Sequence, residues 1–201
     1  MAGKQIVIDG KSHLVGRLAA TIAKQALAGA EITVVRCEEL HISGPLYRNR
    51  RKFMEFMNLR SNSNPRKHSH IHYRSPALMF KRVCRGMLPH KTARGTSALA
   101  RIHTFEGCPT KLEKAKKVCV PDALKNIRIM NTMPTTRLGD LATSVGWRYA
   151  SNVEHLETKR KAAGETYWVK KQETQAEFRA KREAVVNNAP QDIKDALALL
   201  E

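Results

Sequence analysis

The sequence has few of the features that mark several common protein classes. Its four cysteines, at positions 37, 84, 108 and 119, are far apart and include no C-x-x-C pair. This spacing argues against a zinc ribbon or a redox motif and favours reduced thiols. No apolar run reaches the roughly 18 residues that a membrane span needs, and residues 1–5 lack the apolar stretch of a signal peptide. We therefore expect a cytosolic protein that spans no membrane.

Acidic residues are almost missing from the middle of the chain. From Arg48 to Arg101 the sequence has 14 lysines and arginines but one acid, Glu55. General acid–base catalysis needs placed carboxylates or a supported histidine, and this region offers little of either. The sequence therefore disfavours an enzyme and predicts no cofactor, metal or small-molecule substrate. The alternative, a free-standing α/β enzyme or regulator acting on RNA or nucleotides, would require saturable nucleotide binding or turnover.

Positive charge is what the sequence has in excess. Its 201 residues include 36 lysines and arginines against 18 acids, a formal net charge of +18. Such a chain repels itself in its compact form unless a polyanion compensates, so nucleic acid is the leading candidate partner and an acidic membrane surface the second. Only 5% of the residues are aromatic, which disfavours a base-stacking platform. We predict recognition of the backbone and shape of folded RNA.

The first 35 residues predict a β-α-β unit. Ile6–Asp9 is a short β-branched run, typical of a buried parallel strand, and Ile32–Val35 is a second one. Leu14–Leu27 has apolar residues at every fourth position and predicts the helix between them. The right-handed crossover rule makes the two strands parallel, with the helix on one face of the sheet.

The rest of the chain is organised around residues 74–101. Ser75 is a good N-cap, and Pro76 suits the first position of a helix that Gly86 can end. A basic turn then leads to a second short helix near residues 96–100. The apolar stripe of the first helix is expected to face the core: Leu78, Met79, Val83 and Met87. Its cations are expected to face outward: Lys81, Arg82 and Arg85.

Other segments show weaker patterns. The polar stretch Asn58–Tyr73 predicts a loop, long enough to suggest that it is bound to something. Hydrophobic periodicity predicts four more elements and one extended segment: helices over Leu46–Leu59 and Leu138–Val145, strands over Ile102–Phe105 and Ile127–Met130, and an extended Val118–Val120.

Composition shifts at Ser151, which suggests a domain of residues 1–150 followed by an extension of residues 151–201. Ser151–Glu154 matches a capping box, and residues 152–186 predict a helix too polar for a core, either bridging solvent or lying on a partner. A last helix is expected near Pro190. Membrane-surface binding by this tail is a weaker alternative, because acids and bases are mixed along it.

Two motifs suggest ligands. Gly10-Lys11-Ser12 mimics the end of a phosphate-binding loop, but the full pattern needs a further glycine where Gln5 stands, so a plain strand-to-helix turn is favoured. His68, His70 and His72 alternate and would lie on one side of an extended segment. A metal site is an alternative there, but no cysteine or acid lies nearby to complete it, and we favour contacts with phosphates or bases.

The predicted RNA contacts lie in three basic clusters. Guanidinium groups can bind phosphate oxygens through two parallel hydrogen bonds, and lysine adds point charge. The residues are Arg48, Arg50, Arg51, Lys52, Arg66, Lys67, His68, His70, Arg74, Lys81, Arg82, Arg85, His90, Lys91, Thr92, Arg94 and Arg101.

Three stretches carry a family resemblance. I-V-I-D-G…G-R-L-A, V-x-R-G-M-L-P-H-K-T-x-R-G-x-x-A-L and the segment ending F-E-G-C-P together resemble the universal large-subunit ribosomal protein L13 family, in its eukaryotic cytosolic form, over about residues 5–150. The central motif falls on Arg85–Gly95.

That resemblance implies an α/β fold in three layers, α/β/α, with a parallel sheet of about four strands and a C-terminal helical extension. It implies a structural role in the large ribosomal subunit, binding large-subunit rRNA and neighbouring ribosomal proteins, with passage through the nucleolus during assembly. The loop Ser61–Tyr73 and the tail from Lys159 depart from the family pattern.

Overall fold

The computed structural model describes residues 5–61, 63–64, 70–188 and 190. The chain forms two compact units, Met1–Glu154 and His155–Glu201. The first contains five β-strands and seven α-helices among the residues described, and an eighth helix starts at its end. The strands are β1 Gln5–Asp9, β2 Glu31–Val35, β3 His41–Ser43, β4 Ile102–Thr104 and β5 Thr135–Arg137. The helices are α1 Val15–Leu27, α2 Leu46–Met57, α3 Pro76–Gly86, α4 Ala93–Ala100, α5 Thr110–Glu113, α6 Lys125–Arg128, α7 Leu138–Ser144 and α8 Ala150–Asn187.

The main sheet is parallel, in the order β1-β2-β4. Ile6 pairs with Ile32, and Ile32 with Ile102, so one row of isoleucines crosses the sheet on a single face. Because neighbouring residues of a strand point to opposite faces, Val7, Thr33 and His103 form the other row, which is half-buried. The isoleucine face is the one that covers the core.

Helices α1, α3, α4 and α7 contribute to this core. Leu18 and Ile22 of α1 are fully buried, as are Phe80 and Cys84 of α3, because each pair lies one turn apart on one helix face. They join the isoleucine face of the sheet and the apolar face of α7 in one continuous cluster. The predicted β-α-β unit is thereby confirmed, together with a mixed α/β fold containing a parallel sheet and a long C-terminal helix.

The described sheet has three strands, and a fourth segment touches its edge at one point. Val118 forms a parallel bridge to Ile8, with its N–H donating to the Val7 oxygen at 2.8 Å. Three residues later Pro121 begins a short 3-10 turn. Because proline has no N–H to offer a ladder, the extended segment predicted at Val118–Val120 stops before it becomes a strand.

One local element is misassigned and another is missed. The expected strand Ile127–Met130 is the short helix α6 with the residues that follow it, and the Lys125 N–H at its start donates to the Ser12 oxygen at 2.9 Å. The chain bends at Gly44, where Gly44-Pro45 is typical of a turn, but β3 just before it, which pairs antiparallel with β5 through Ile42 and Thr136, was not predicted. Strands β3 and β5 are so far apart in the chain that no local sequence pattern predicts their pairing.

Helix α3 is rotated from the predicted orientation. Ser75 caps it as expected, accepting from the Leu78 N–H at 3.5 Å, and Pro76 is its first residue. Met79 is buried and Val83 packs partly buried against the core, as predicted, but Leu78 and Met87 are each 42% exposed, and Phe80 and Cys84 are fully buried instead. Burial in the apolar core raises the pKa of the Cys84 thiol to about 12, so this cysteine is a packing residue.

Helix α8 is 38 residues long and carries exposed polar side chains along most of its length. It begins at Ala150, one residue before the predicted cap, and the Ser151 hydroxyl donates to the Asn152 side chain at 3.4 Å. The expected capping box is therefore not formed. The last predicted helix, beyond Pro190, lies outside the described residues. In the part of the chain that the structure describes, no helix is both long and apolar enough to cross a membrane.

Candidate nucleic-acid interface

Helix α2 is oriented by one buried amide. Asn49, 8% exposed, donates from Nδ2 to the Thr136 hydroxyl at 2.8 Å and to the backbone oxygens of Ser43 and Gly44 at 3.3 and 3.2 Å. The Thr136 hydroxyl in turn donates to the Gly44 oxygen at 2.7 Å. These bonds fix the first turn of α2 to the β3–β5 pair.

The predicted basic cluster of α2 surrounds this anchor and is exposed. Arg48 and Arg50 flank Asn49 in sequence and therefore point away from its buried face. Arg51 lies 3.5 Å from Glu55 one turn on, a solvent-exposed pair that leaves most of its guanidinium available. Lys52 is exposed as well. The helix thus presents four cations from a rigid base.

The segment before α3 is tied down by Arg82. Its guanidinium donates to the Ile71 oxygen and lies 4.4 Å from the centre of the Phe56 ring on α2. His72 packs edge-on against the same ring at 4.7 Å, and His70 stacks on His72 at 6.3 Å. Part of Arg82's hydrogen-bonding capacity therefore serves the fold, joining α2, α3 and residues 70–72.

The connection between α3 and α4 is shaped by close backbone contact. A Cβ on Gly95 would lie 2.0 Å from the Pro89 oxygen, so only glycine fits at this position. Thr92 caps α4 by accepting from the Gly95 N–H at 3.2 Å, and it donates to the Pro89 oxygen at 2.7 Å. Thr96 adds a hydrogen bond to the His90 oxygen at 3.0 Å. Thr92, a predicted RNA contact, thus has a structural role in this turn.

This rigid turn carries exposed cations. Arg85 lies in the last turn of α3, and Lys91 and Arg94 lie around the start of α4, all three exposed. His90 is half-buried, and Arg74, before α3, is exposed. Arg101 is different, because its guanidinium donates to the Ala26 oxygen at 2.9 Å and closes the C-terminal end of α1.

One ion pair shows how a cation is used inside the fold instead. Arg36, in a left-handed backbone conformation, forms an ion pair with Asp9 at the end of β1. Burial alone would raise the pKa of Asp9, but hydrogen bonds from Arg36 and from the Lys11 N–H outweigh it, and the net effect lowers the pKa. Arg36 is therefore a structural cation, unlike those of α2.

Among the described residues of the first unit, two grooves have several cations in their lining. One, of about 440 Å³, lies over the outer face of α3, and its lining includes Lys81 and Arg85. The other, of about 510 Å³, lies beside α2 and includes Arg48, Lys52 and Arg128. Arg128 was missed in the sequence because it stands in a run read as a strand. The two grooves share no lining residue.

The Gly10 turn does not have the form of a phosphate-binding loop. Its N–H groups already have acceptors within the protein: that of Gly10 donates to the Val35 oxygen at 2.8 Å, Lys11 to the Asp9 carboxylate at 3.1 Å, and Ser12 to the Glu39 oxygen at 3.3 Å. A phosphate-binding loop leaves such groups open, so the favoured interpretation as a plain turn agrees with the structure. Within the described ranges, no cluster of histidines, cysteines and acids has a metal-binding arrangement.

The structure thus brings the predicted contacts of α2 and of the α3–α4 segment onto one scaffold. Three predicted residues, Arg66, Lys67 and His68, lie outside the residues described. An α/β scaffold that exposes cations with so few acids among them is typical of proteins that bind the phosphate backbone of structured nucleic acids.

Comparison with known proteins defines the family. The family model described as Ribosomal protein L13 matches residues 3–111. The chain is 50% identical over 198 residues to the large ribosomal subunit protein uL13 of Tetrahymena thermophila, covering 98% of each chain. It is 50% identical over 167 residues to the protein of the same name from Dictyostelium discoideum, covering 83% of this chain and 89% of that one. The chain belongs to the ribosomal protein L13 family, which confirms the resemblance seen in the sequence.

Proposed function

We propose that this chain is a structural constituent of the large subunit of the cytosolic ribosome and binds folded rRNA through phosphate and shape contacts. The observation that carries the proposal is the exposed, nearly acid-free basic surface of α2 and the α3–α4 segment in a member of this family. Its two eukaryotic relatives bear the name large ribosomal subunit protein.

The scaffold supports this role physically. Binding to a phosphate backbone releases condensed counterions, so each cation that contacts a phosphate contributes to the binding affinity. Asn49 fixes the backbone of α2, and Gly95 fixes the turn that bears Lys91 and Arg94. Because the backbone that bears these cations is already ordered, less conformational entropy is lost on binding. The arrangement therefore suits a permanent structural contact.

The two parts of the chain have separate roles in this proposal. Residues 1–150 are the rRNA-binding domain, and residues 151–201, which contain equal numbers of basic and acidic residues, are an extension that contacts neighbouring large-subunit proteins. The polar surface of α8 supports the second role, because a long helix without an apolar face cannot be held by a core of its own. Passage through the nucleolus during subunit assembly belongs to the same proposal.

Charge reversal tests the site. In cells, the double variant Arg85→Glu and Arg94→Glu should be depleted from large subunits on sucrose gradients, because it replaces two phosphate-attracting charges with repelling ones. The variant Lys114→Glu and Lys116→Glu makes the same change in charge at exposed positions outside the predicted contacts. It should be incorporated normally.

Two outcomes would contradict the proposal. Equal incorporation of both double variants would show that Arg85 and Arg94 are not rRNA contacts. If the wild-type chain stayed at the top of the gradient, before and after magnesium chelation, the ribosomal role itself would fail.

A further inference from the structure

We propose that the groove over the outer face of α3 holds a single unpaired nucleotide of the RNA, with its base on an apolar floor and its phosphates on Lys81 and Arg85. This inference rests on the proposed function and extends it from backbone recognition to recognition of a base. The groove is formed between residues 70–73, α3 and α4.

The lining of the groove combines two chemistries. Its cations are Lys81, Arg82 and Arg85, and its large apolar side chains are Ile71, Tyr73, Leu78 and Leu99. Phosphate contacts require only the cations. Apolar side chains beside them add affinity only if the ligand also has an apolar surface, which in RNA is the face of a base.

Three of these apolar side chains are exposed although the fold offers a core, while Leu99 packs partly buried against that core. Ile71 is 60% exposed, Leu78 42% and Tyr73 36%. Leu78 is the only apolar side chain of the described α3 that lines the groove, and the other α3 residues in the lining are cations. Covering these side chains with a base removes apolar area from water.

The cations are spaced for one nucleotide. Lys81 and Arg85 are four residues apart on a helix, so their side chains leave the same face as neighbours. Among the described residues neither side chain forms an ion pair. Two adjacent cations beside an apolar floor can bind the phosphates on either side of a base that lies on that floor.

Arg82 makes the groove a preformed one. By donating to the Ile71 oxygen while stacking on Phe56, it holds the wall that carries Ile71 and Tyr73 against α3. The groove volume of about 440 Å³ falls in the range of small-molecule sites, roughly 300–1,000 Å³. The rings of Tyr73 and His70 line the groove, which suits one base, whereas a stacking platform needs several aromatics.

The binding test uses the full chain and two RNA hairpins. One carries a single unpaired 2-aminopurine in its stem, and the other is identical but fully paired. We expect the chain to bind the first more tightly and the fluorescence of 2-aminopurine to change on binding. Tyr73→Ala should reduce this preference by about 5- to 150-fold, as for the loss of a stacked base, and Leu78→Ala by a smaller factor. Both variants should leave affinity for the paired hairpin unchanged.

Matched variants separate the base from the phosphates. Tyr47→Ala removes a tyrosine that is 76% exposed on α2 and lies outside the groove, so it should keep the preference. Lys81→Ala should weaken binding to both hairpins and lower the slope of log affinity against log salt by about 1.

Three results would overturn the inference. They are equal affinity for the two hairpins, unchanged 2-aminopurine fluorescence, and a Tyr73→Ala variant that behaves like Tyr47→Ala. Displacement of the bound hairpin by an acidic peptide, with the preference for the bulge absent, would assign the groove to a protein partner. Normal incorporation into large subunits together with any of these results would leave the proposed function standing and reject the nucleotide site alone.

Discussion

The two basic segments of the molecule present their cations in different ways. Helix α2 is held by a side chain, because the buried Asn49 amide joins it to the β3–β5 pair through three hydrogen bonds. The α3–α4 connection is held by its backbone, because Gly95 packs directly against Pro89. The comparison shows that the two halves of one basic surface are positioned differently. Side-chain hydrogen bonds position α2, and close backbone packing positions the α3–α4 connection.

The comparison also predicts where each half is vulnerable. A network of hydrogen bonds can lose one member and keep its shape at a moderate cost. A close backbone contact cannot accept even one additional carbon, since the groups that it would strike belong to the main chain. Substitutions at the two anchors should therefore differ in severity.

The largest effect is expected at the steric anchor. Gly95→Ala would place a Cβ 2.0 Å from the Pro89 oxygen and 2.4 Å from its carbonyl carbon, and the turn cannot keep its conformation. We expect the free energy of unfolding to fall by about 3–5 kcal/mol, measured by urea denaturation. Gly86→Ala is the control, since nothing lies within 4 Å of its added Cβ, and its effect should stay within about 1 kcal/mol. Equal effects of the two substitutions would refute the steric argument.

An intermediate effect is expected at the polar anchor. Asn49→Ala removes the donor from the Thr136 hydroxyl and two backbone oxygens and should cost about 2 kcal/mol in unfolding free energy. Asn49→Asp should cost more, because it directs a carboxylate at the same acceptors. Arg50→Ala, at an exposed neighbouring position, should change stability by less than about 0.5 kcal/mol. An Asn49→Ala variant as stable as Arg50→Ala would show that the network does not anchor α2.

The smallest effect is expected at the cap of α4. Thr92→Ala removes the acceptor of the Gly95 N–H and should cost about 1 kcal/mol, whereas Thr92→Ser retains the hydroxyl and should stay near the wild type. If Thr92→Ala weakened RNA binding but left the unfolding free energy unchanged, Thr92 would be an RNA contact and not a cap. Thermal denaturation and hairpin binding, measured on the same samples, distinguish these roles.

Local patterns predicted much of the fold. The unit β1-α1-β2 follows from two β-branched runs around a helix with fourfold apolar spacing, and both strands and the helix lie within one residue of their predicted bounds. Helix α7 was also predicted, as was the cap of α3 at Ser75. In each case the signal lies within a few neighbouring residues.

What the sequence could not supply depends on distant contacts. The β3–β5 pair joins residue 42 to residue 136, and neither strand has a pattern of its own. Helix α3 has apolar residues on more than one face, so spacing alone did not show that Phe80 faces the core and Leu78 faces solvent. Helix α4 begins at Ala93, earlier than the predicted start near residue 96, because the Thr92 side chain caps it. Thr92 was predicted as an RNA contact and not as a cap.

The candidate site shows the same division. The exposed cations of α2 and of the α3–α4 turn follow from charge and helical pattern. The structural roles of Arg82 and Arg101 do not follow from the sequence, because each guanidinium donates a hydrogen bond to a backbone carbonyl that lies near it only in the folded chain. Arg128 joins Arg48 and Lys52 beside a groove for the same reason.

The pairing of β2 with β4 has a consequence for how the molecule folds. Ile32 lies opposite Ile102, yet the whole cation-rich segment from Arg48 to Arg101 stands between them in the chain. Closing that long loop costs chain entropy and also concentrates like charges, which slows such non-local pairing. Added ions screen the repulsion. Completing the sheet therefore requires these like charges to be brought together, and the refolding rate should rise with ionic strength.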